Sequence, residues 1–289
     1  MKEFKPKDGD LLFLPSTDYY YGLEILKFYK NTKTPANLHL RFIGVLENGR
    51  FSKRASKTEI LKLIKHLKDD FRIKISAETE RYATYIKNIT GARVEVTRYP
   101  LTIRKKNDSN KAVTGPLIVS CPGASREDKG SFDTIPIVNS IFATCGEKVV
   151  VNVQGFRKGD LAWEKDAMFL AKRHPTLRLL APRVSRSDFE RYILDADIIL
   201  LPYNPSSYWY RGSAIFFESI EQGKYMIGRG GNAFVDDLAD NNIIDRFYKI
   251  DQLGAMMESL SLKPKSYFKE EGEARLERYL SMYDSVNIG

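Results

Sequence analysis

The stretch 195-DADIILLPYNPSSYWYRGSAIFFESIEQGKYMIG-228 decides the reading of the fold. Asp197 to Leu201 is a short apolar run of the kind a buried parallel strand shows. It ends at Pro202, and a polar loop rich in aromatics follows. Arg211-Gly212-Ser213 then opens a helix whose apolar face reads as Ala214, Ile215, Phe217 and Ile220. Gly223 closes that helix and Tyr225-Met226-Ile227 begins another strand. Strand, loop, helix and strand make half of a doubly wound sheet, and such sheets bind ligands at the carboxyl ends of their strands. The backbone near Gly212 and Ser213, with Arg211 beside it, suits a phosphate. Glu218 stands about one and a half turns into the helix, where a carboxylate can hold a sugar hydroxyl.

These residues resemble the donor-binding core of family-4-type glycosyltransferases with the GT-B fold. In that family a strand ending in proline leads to two glutamates eight residues apart and a Gly-Lys turn. Here Glu218 matches the second glutamate and Gly223-Lys224 the turn, whereas Tyr210 stands where the first would be. The resemblance implies an α/β protein of two Rossmann-like β/α domains facing across a cleft. It is good over residues 115–250 and weaker over 10–100.

Working outward, the chain alternates. Strands are expected at Asp10–Pro15, Asn37–Gly44, Arg72–Ser76 and Val94–Pro100, with helices at Tyr20–Tyr29, Lys57–Leu67 and Glu78–Ile89 between them. Alternation with short joints means a parallel sheet. Periodicity lapses over 101–115, which reads as a linker. It resumes with strands at Leu117–Cys121, Lys148–Val153, Leu177–Leu180, Asp197–Leu201, Tyr225–Ile227 and Phe247–Ile250, and ends in a helix over 266–286, in two pieces. The expected division is 1–105 for a first, acceptor-side domain, 106–265 for a nucleotide-sugar domain, and 266–289 for a helix returning to the first. Four strands are too few for a complete first domain of this fold, so that domain reads as short or incomplete.

Charge separates the same two regions. Residues 1–115 hold 24 Lys and Arg against 13 Asp and Glu, a net of +11, while the whole chain carries +9. A basic first domain faces something anionic, such as a membrane surface or an acidic glycan, or simply has a lysine-rich surface. No nucleic-acid module appears. No apolar run approaches the roughly 20 residues that span a bilayer, and the start, MKEFKPKDGD, has no signal region. Cys121 and Cys145 make no disulfide framework. The expectation is a cytoplasmic protein, in peripheral contact with an anionic membrane if its basic half serves one.

After the strand ending at Cys121 comes Pro122-Gly123-Ala124-Ser125-Arg126, with Lys129-Gly130 close behind. By resemblance the backbone at Gly123 and Ser125 approaches the donor diphosphate and Arg126 and Lys129 neutralise it, as the departing charge requires. Glu218 would hold the ribose, and Arg183 and Tyr203 would line the same site with Tyr210, Arg211, Gly212 and Ser213. On the acceptor side His39 and Arg41 share one strand face. Asp195-Ala196-Asp197 imitates a metal-binding Asp-x-Asp but precedes its strand, so it reads as a helix end and strand start. No metal and no cofactor beyond the nucleotide-sugar substrate is expected. Hydrolase, dehydrogenase and nucleoside-triphosphatase signatures are missing. The resemblance therefore implies a retaining, metal-independent glycosyltransferase acting on a glycan or lipid-linked acceptor. Tyr210 keeps a second reading open, a degenerate binding subunit. A two-domain sugar-nucleotide epimerase is disfavoured by its lack of site histidines and acids.

Overall fold

The computed structural model describes residues 7–32, 36–44, 54–97, 114–123, 126–155, 161–181 and 183–284. The chain forms two compact units. One comprises residues up to Tyr99 together with Ser207–Gly212, the other Pro100–Ser206 and Ser213–Gly289. Apart from Thr114 and Gly115, the linker expected over 101–115 lies outside the described residues, as does the candidate Ser125.

The first unit runs β1 (Leu11–Thr17), α1 (Tyr19–Thr32), β2 (Asn37–Phe42), α2 (Arg54–His66), β3 (Ile73–Ala77), α3 (Glu80–Thr90) and β4 (Val94–Val96). Its four strands are parallel and stand in chain order. Right-handed crossovers in such an order place all three helices on one face. The core agrees, because Leu38, Leu40 and Ile75 pack beneath Leu23, Leu26, Ile60, Ile64, Tyr82 and Ile86. Alternate residues on the other face are Phe13, His39, Lys74 and Glu95, with Lys74 and Glu95 paired at 2.6 Å. Parallel sheets are ordinarily covered on both faces. Among the described residues this Rossmann-like domain has four strands and carries its helices on one face, a short form of the fold.

The second unit runs β5 (Leu117–Cys121), α4 (Thr134–Cys145), β6 (Val149–Gln154), α5 (Leu161–Arg173), β7 (Leu177–Leu180), α6 (Arg186–Asp195) and β8 (Ile198–Leu201). It continues with α7 (Ala214–Glu221), β9 (Tyr225–Arg229), α8 (Ala233–Ala239), β10 (Asp245–Phe247), α9 (Ile250–Ser261) and α10 (Lys265–Asp284). The parallel sheet has the order β10-β9-β8-β5-β6-β7. The chain leaves β5 in one direction and returns at β8 to go the other way. The switch point of this doubly wound sheet is therefore between β5 and β8.

Three local expectations change. The last strand ends at Phe247, because Lys249 already caps α9, with the Gln252 side chain accepting from the Lys249 N–H. The terminal helix is one piece of 20 residues. Its Gly272 does not break it, since a Cβ there would stand 2.0 Å from the Gly223 carbonyl oxygen; the glycine lets α10 lie close against that turn. Within its own unit this helix packs on β9 and α7. Finally, the inward face of α7 is Ile215, Phe216, Ser219 and Ile220, while Ala214 is exposed and Phe217 half-buried. Apolar spacing alone allowed either set, as the helix is apolar on most of its circumference.

Candidate functional site

The candidate site begins at the carboxyl end of β5. Gly123 sits at φ 110°, and a Cβ there would meet Lys129 Nζ at 2.7 Å and Ile215 at 2.8 Å. Lys129 thus folds back over the glycine turn, with its ammonium 5.7 Å from the centre of the Tyr203 ring. The Gly123 N–H donates to Gln154 Oε1 at 2.7 Å, so β6 fixes the turn. Gly130, at φ 78°, abuts the Pro202 carbonyl, and the Asn204 N–H donates to the Asp128 carbonyl at 3.1 Å. These contacts stitch the loop after β5 to the loop after β8, across the switch point where open α/β sheets take ligands.

Arg126 and Lys129 are not equivalent. Arg126 forms a bidentate pair with Asp128, at 2.9 and 2.8 Å, and is exposed. Lys129 lies at the glycine turn. Beside it is a cavity of about 20 Å³ lined by Gly123, Lys129, Ser131, Gln154 and Tyr203, room for a single water. Ser131 is buried and its Oγ has no hydrogen-bond partner there. Ser131 carries no local signal, because a serine after Lys-Gly is an ordinary turn residue.

Around α7 the candidates separate. Ser213 is the helix cap: its Oγ accepts the Phe216 N–H at 3.3 Å and donates to the buried Tyr203 hydroxyl. Glu218, one face round, is partly exposed and pairs with Arg186 of α6 at 3.0 Å. Arg186 also holds Glu190 at 2.9 Å, and hydrogen bonding to Glu218 is the main reason its guanidinium is held above its usual range. Arg183 is exposed at the end of β7. Asp197 accepts the Ile118 N–H at 2.8 Å and pairs with Lys265 at 3.2 Å, a structural tie. A wider hollow of about 570 Å³ lies over β5, β6 and β7 beside α6, and it reaches Ile118 and Asp197 at the strand starts, away from the glycine turn. Among the described residues no group of three or more His, Cys, Asp or Glu has the placement to hold a metal ion.

Tyr210, Arg211 and Gly212 belong to the first unit. The Tyr210 ring packs against Tyr82 and Tyr85, at 5.1 and 5.0 Å between centroids, and its carbonyl accepts the Thr79 hydroxyl at 3.0 Å. Arg211 lies over the Tyr208 ring, 4.2 Å from its centre. The Gly212 N–H is bonded to Glu78, which also accepts the Gly44 N–H at 2.7 Å. Burial pushes the Glu78 carboxyl above its usual range, and those two amides with Arg41 and Arg211 pull it back. Glu78 follows the last residue of β3 directly. Its position at a parallel strand's carboxyl end was the signal that could have found it.

His39 and Arg41 do share a face of β2. Arg41 is buried and donates to the carbonyls of Pro15 at 3.0 Å and Thr97 at 3.2 Å, so it ties the ends of the sheet. His39 bonds Ser76 at 2.8 Å and its ring lies 4.8 Å from that of Phe13. Burial first, then Lys74, holds its pKa below the usual value. A depressed histidine favours the folded state above its unfolded pKa of about 6.5, and that contribution is lost as pH falls through the lower folded value. The thermal midpoint is expected to drop as pH falls from 7.5 to 5.5, and less steeply in His39→Gln. His174, stacked on Phe142, is shifted the same way, so the difference between the two proteins carries the assignment. Equal slopes would remove His39 from the account.

No family model and no curated protein matches the sequence. Solved structures do. Anabaena HepE in complex with UDP aligns with a TM-score of 0.68 at 12% identity, over 96% of this chain and 77% of that one. The E. coli trehalose-6-phosphate structure bound with UDP-2-fluoro glucose gives 0.67 at 9%, over 98% and 74%. The α,α-trehalose 6-phosphate synthase from Burkholderia multivorans gives 0.67 at 11%, over 96% and 69%. These neighbours are GT-B glycosyltransferases, and the likeness is one of fold. The chain is an α/β protein of the GT-B type with an incomplete first domain.

Proposed function

We propose that the chain is a glycosyltransferase that takes a sugar from a nucleoside-diphosphate donor and passes it to a glycan or lipid-linked acceptor. The observation that carries this reading is the placement of Lys129 over the Gly123 turn, at the switch point between β5 and β8. Two of the structural neighbours are described with UDP or a UDP-sugar bound, which supports a nucleotide sugar as donor. Breaking the sugar–phosphate bond leaves negative charge on the diphosphate, and a fixed ammonium acts on that charge as it develops. Lys129 is assigned this part, with Arg126 at the rim. Glu218 is assigned the ribose hydroxyls, on its release from Arg186. The proposed reaction retains the anomeric configuration and uses no metal ion. The acceptor is assigned to the first domain, whose basic charge suits an anionic glycan or peripheral contact with an anionic membrane, and the protein to the cytoplasm. Among the described residues no helix is long and apolar enough to cross a membrane.

One observation favours a second reading, a degenerate nucleotide- or glycan-binding subunit. Tyr210, in place of the family's first glutamate, packs its ring into the first unit's core cluster. Incubation with a panel of nucleotide sugars decides between them: slow donor hydrolysis or transfer supports the enzyme, and binding without turnover supports the subunit. Glu218 tests the donor site itself. Charged hydrogen bonds contribute roughly 1.5–3 kcal/mol, so Glu218→Ala is expected to weaken binding of the nucleoside by about ten- to a hundredfold. Calorimetric titration measures this, and unchanged affinity would remove Glu218 from the site.

A further inference from the structure

The loop Ser207–Gly212 of the first unit holds a tryptophan that nothing in the proposed reaction uses. The loop is bonded to Glu78, Thr79 and Arg81, where the chain leaves the carboxyl end of β3 and enters α3. Its backbone is pinned on both sides of the indole. Arg81 Nη1 donates to the Trp209 carbonyl at 3.3 Å, and the Thr79 hydroxyl donates to the Tyr210 carbonyl at 3.0 Å. The Tyr210 ring is sunk against Tyr82 and Tyr85, whereas Trp209 beside it is 49% exposed. The Arg81 guanidinium also lies over the Trp209 ring, 4.3 Å from its centre, and so occupies one face. Among the described residues no other ring or cation lies over the indole, and its N–H has no partner. The exposure therefore falls on the opposite face and the edge.

We propose that the open face of Trp209 is a stacking platform for a sugar ring of a carboxylate-bearing glycan, the acceptor. That this glycan is the acceptor rests on the transferase reading; that it binds at Trp209 does not. An exposed aromatic by itself is ordinary. This one is held by its own backbone and by Arg81, so little freedom is lost when a ligand covers it. The face of an aromatic ring is negative. A pyranose ring presents to it a face of C–H groups, whose weakly positive hydrogens suit that charge. The hydroxyls of the sugar stand around this face, within the compass of an indole N–H that needs an acceptor. Parallel sheets take ligands at the carboxyl ends of their strands, and β3 ends beside this loop. The net positive charge of residues 1–115 extends the match to sugars that carry carboxylates. A lipid surface suits the site less, because the ring is capped by a guanidinium and its backbone is tied to α3.

Tryptophan emission during titration with hexasaccharides of hyaluronan, alginate and polygalacturonate, and with neutral cellohexaose, over about 0.1–10 mM tests this. The expected result is a saturable change with at least one acidic sugar, tighter than with cellohexaose. Calorimetry then compares variants that lack the reporter. Trp209→Ala is expected to weaken that binding at least about tenfold, and Trp209→Tyr to keep most of it. The thermal midpoint should stay in place, since the side chain is half exposed and the backbone bonds remain. Affinity for a nucleoside diphosphate should be the same in both variants, which separates this site from the donor site. No response to any acidic sugar would overturn the proposal, and so would unchanged sugar affinity in Trp209→Ala. An emission shift with vesicles containing phosphatidylserine, lost in Trp209→Ala, would assign the ring to lipid and also overturn it. Sugar binding at Trp209 without turnover of any donor would uphold the platform and withdraw the transferase reading alone.

Discussion

Lys129→Ala is expected to weaken binding of a nucleoside diphosphate by roughly a hundredfold, with little effect on the bare nucleoside. The reasoning starts from geometry. Lys129 Nζ stands over the Gly123 turn, so close that a methyl group on residue 123 would lie 2.7 Å from it. An ammonium there is in place to meet a diphosphate at the turn, and truncating one partner of a charge pair that the ligand would bury costs about 2–5 kcal/mol. At about 1.4 kcal/mol per tenfold, the lower half of that range is about one and a half to two and a half orders of magnitude. Arg126→Ala should do less. Its guanidinium is exposed and doubly bonded to Asp128, so it must trade that pair for the ligand. Titration calorimetry with nucleoside, monophosphate and diphosphate separates the two residues. A Lys129 variant that binds the diphosphate as tightly as the parent would move the donor site elsewhere and take the proposed mechanism with it.

Much of this was legible in the residues, for identifiable reasons. The strand Ile198–Leu201 is apolar on both sides because it lies mid-sheet under helices, and its sequence says so. Gly223 ends α7 with φ 59°, a conformation for which glycine is the natural choice. The resemblance singled out the second unit because a glycine turn, a lysine and a helix glutamate recur at family spacings. What could not be read was pairing across the chain. Nothing local to Glu218 announces Arg186, and nothing local to Arg41 announces the carbonyls of Pro15 and Thr97. Tyr210 reads locally as a loop aromatic, yet its ring belongs with Tyr82 and Tyr85, more than 120 residues earlier. The incomplete first domain was legible as a count of strands. That all its helices share one face followed only from the strand order.

Gly130→Ala is expected to have the largest effect on stability of any single methyl group added near the site. Residue 130 has φ 78°, in the left-handed region, where an L side chain costs about 1–2 kcal/mol. The larger cost is steric. A Cβ at residue 130 would stand 1.9 Å from the Pro202 carbonyl oxygen, which is backbone and cannot rotate away. Relief requires the loop after β5 to part from the loop after β8. The Asn204 N–H bond to the Asp128 carbonyl would then stretch, and Lys129, the preceding residue, would leave its place over Gly123. Gly223→Ala is the control. It has the same sign of φ, but its Cβ would meet only ordinary contacts of 3.5 Å and beyond, so it should show the conformational cost alone. In urea unfolding, Gly130→Ala should lose about 3 kcal/mol or more, near the upper end for single substitutions, and Gly223→Ala about 1–2 kcal/mol. Diphosphate binding should fall in the first and persist in the second. Equal losses of stability in the two variants would mean that the β5 and β8 loops are not locked together at Gly130. The switch-point site would then lack the rigid floor on which the placement of Lys129 depends.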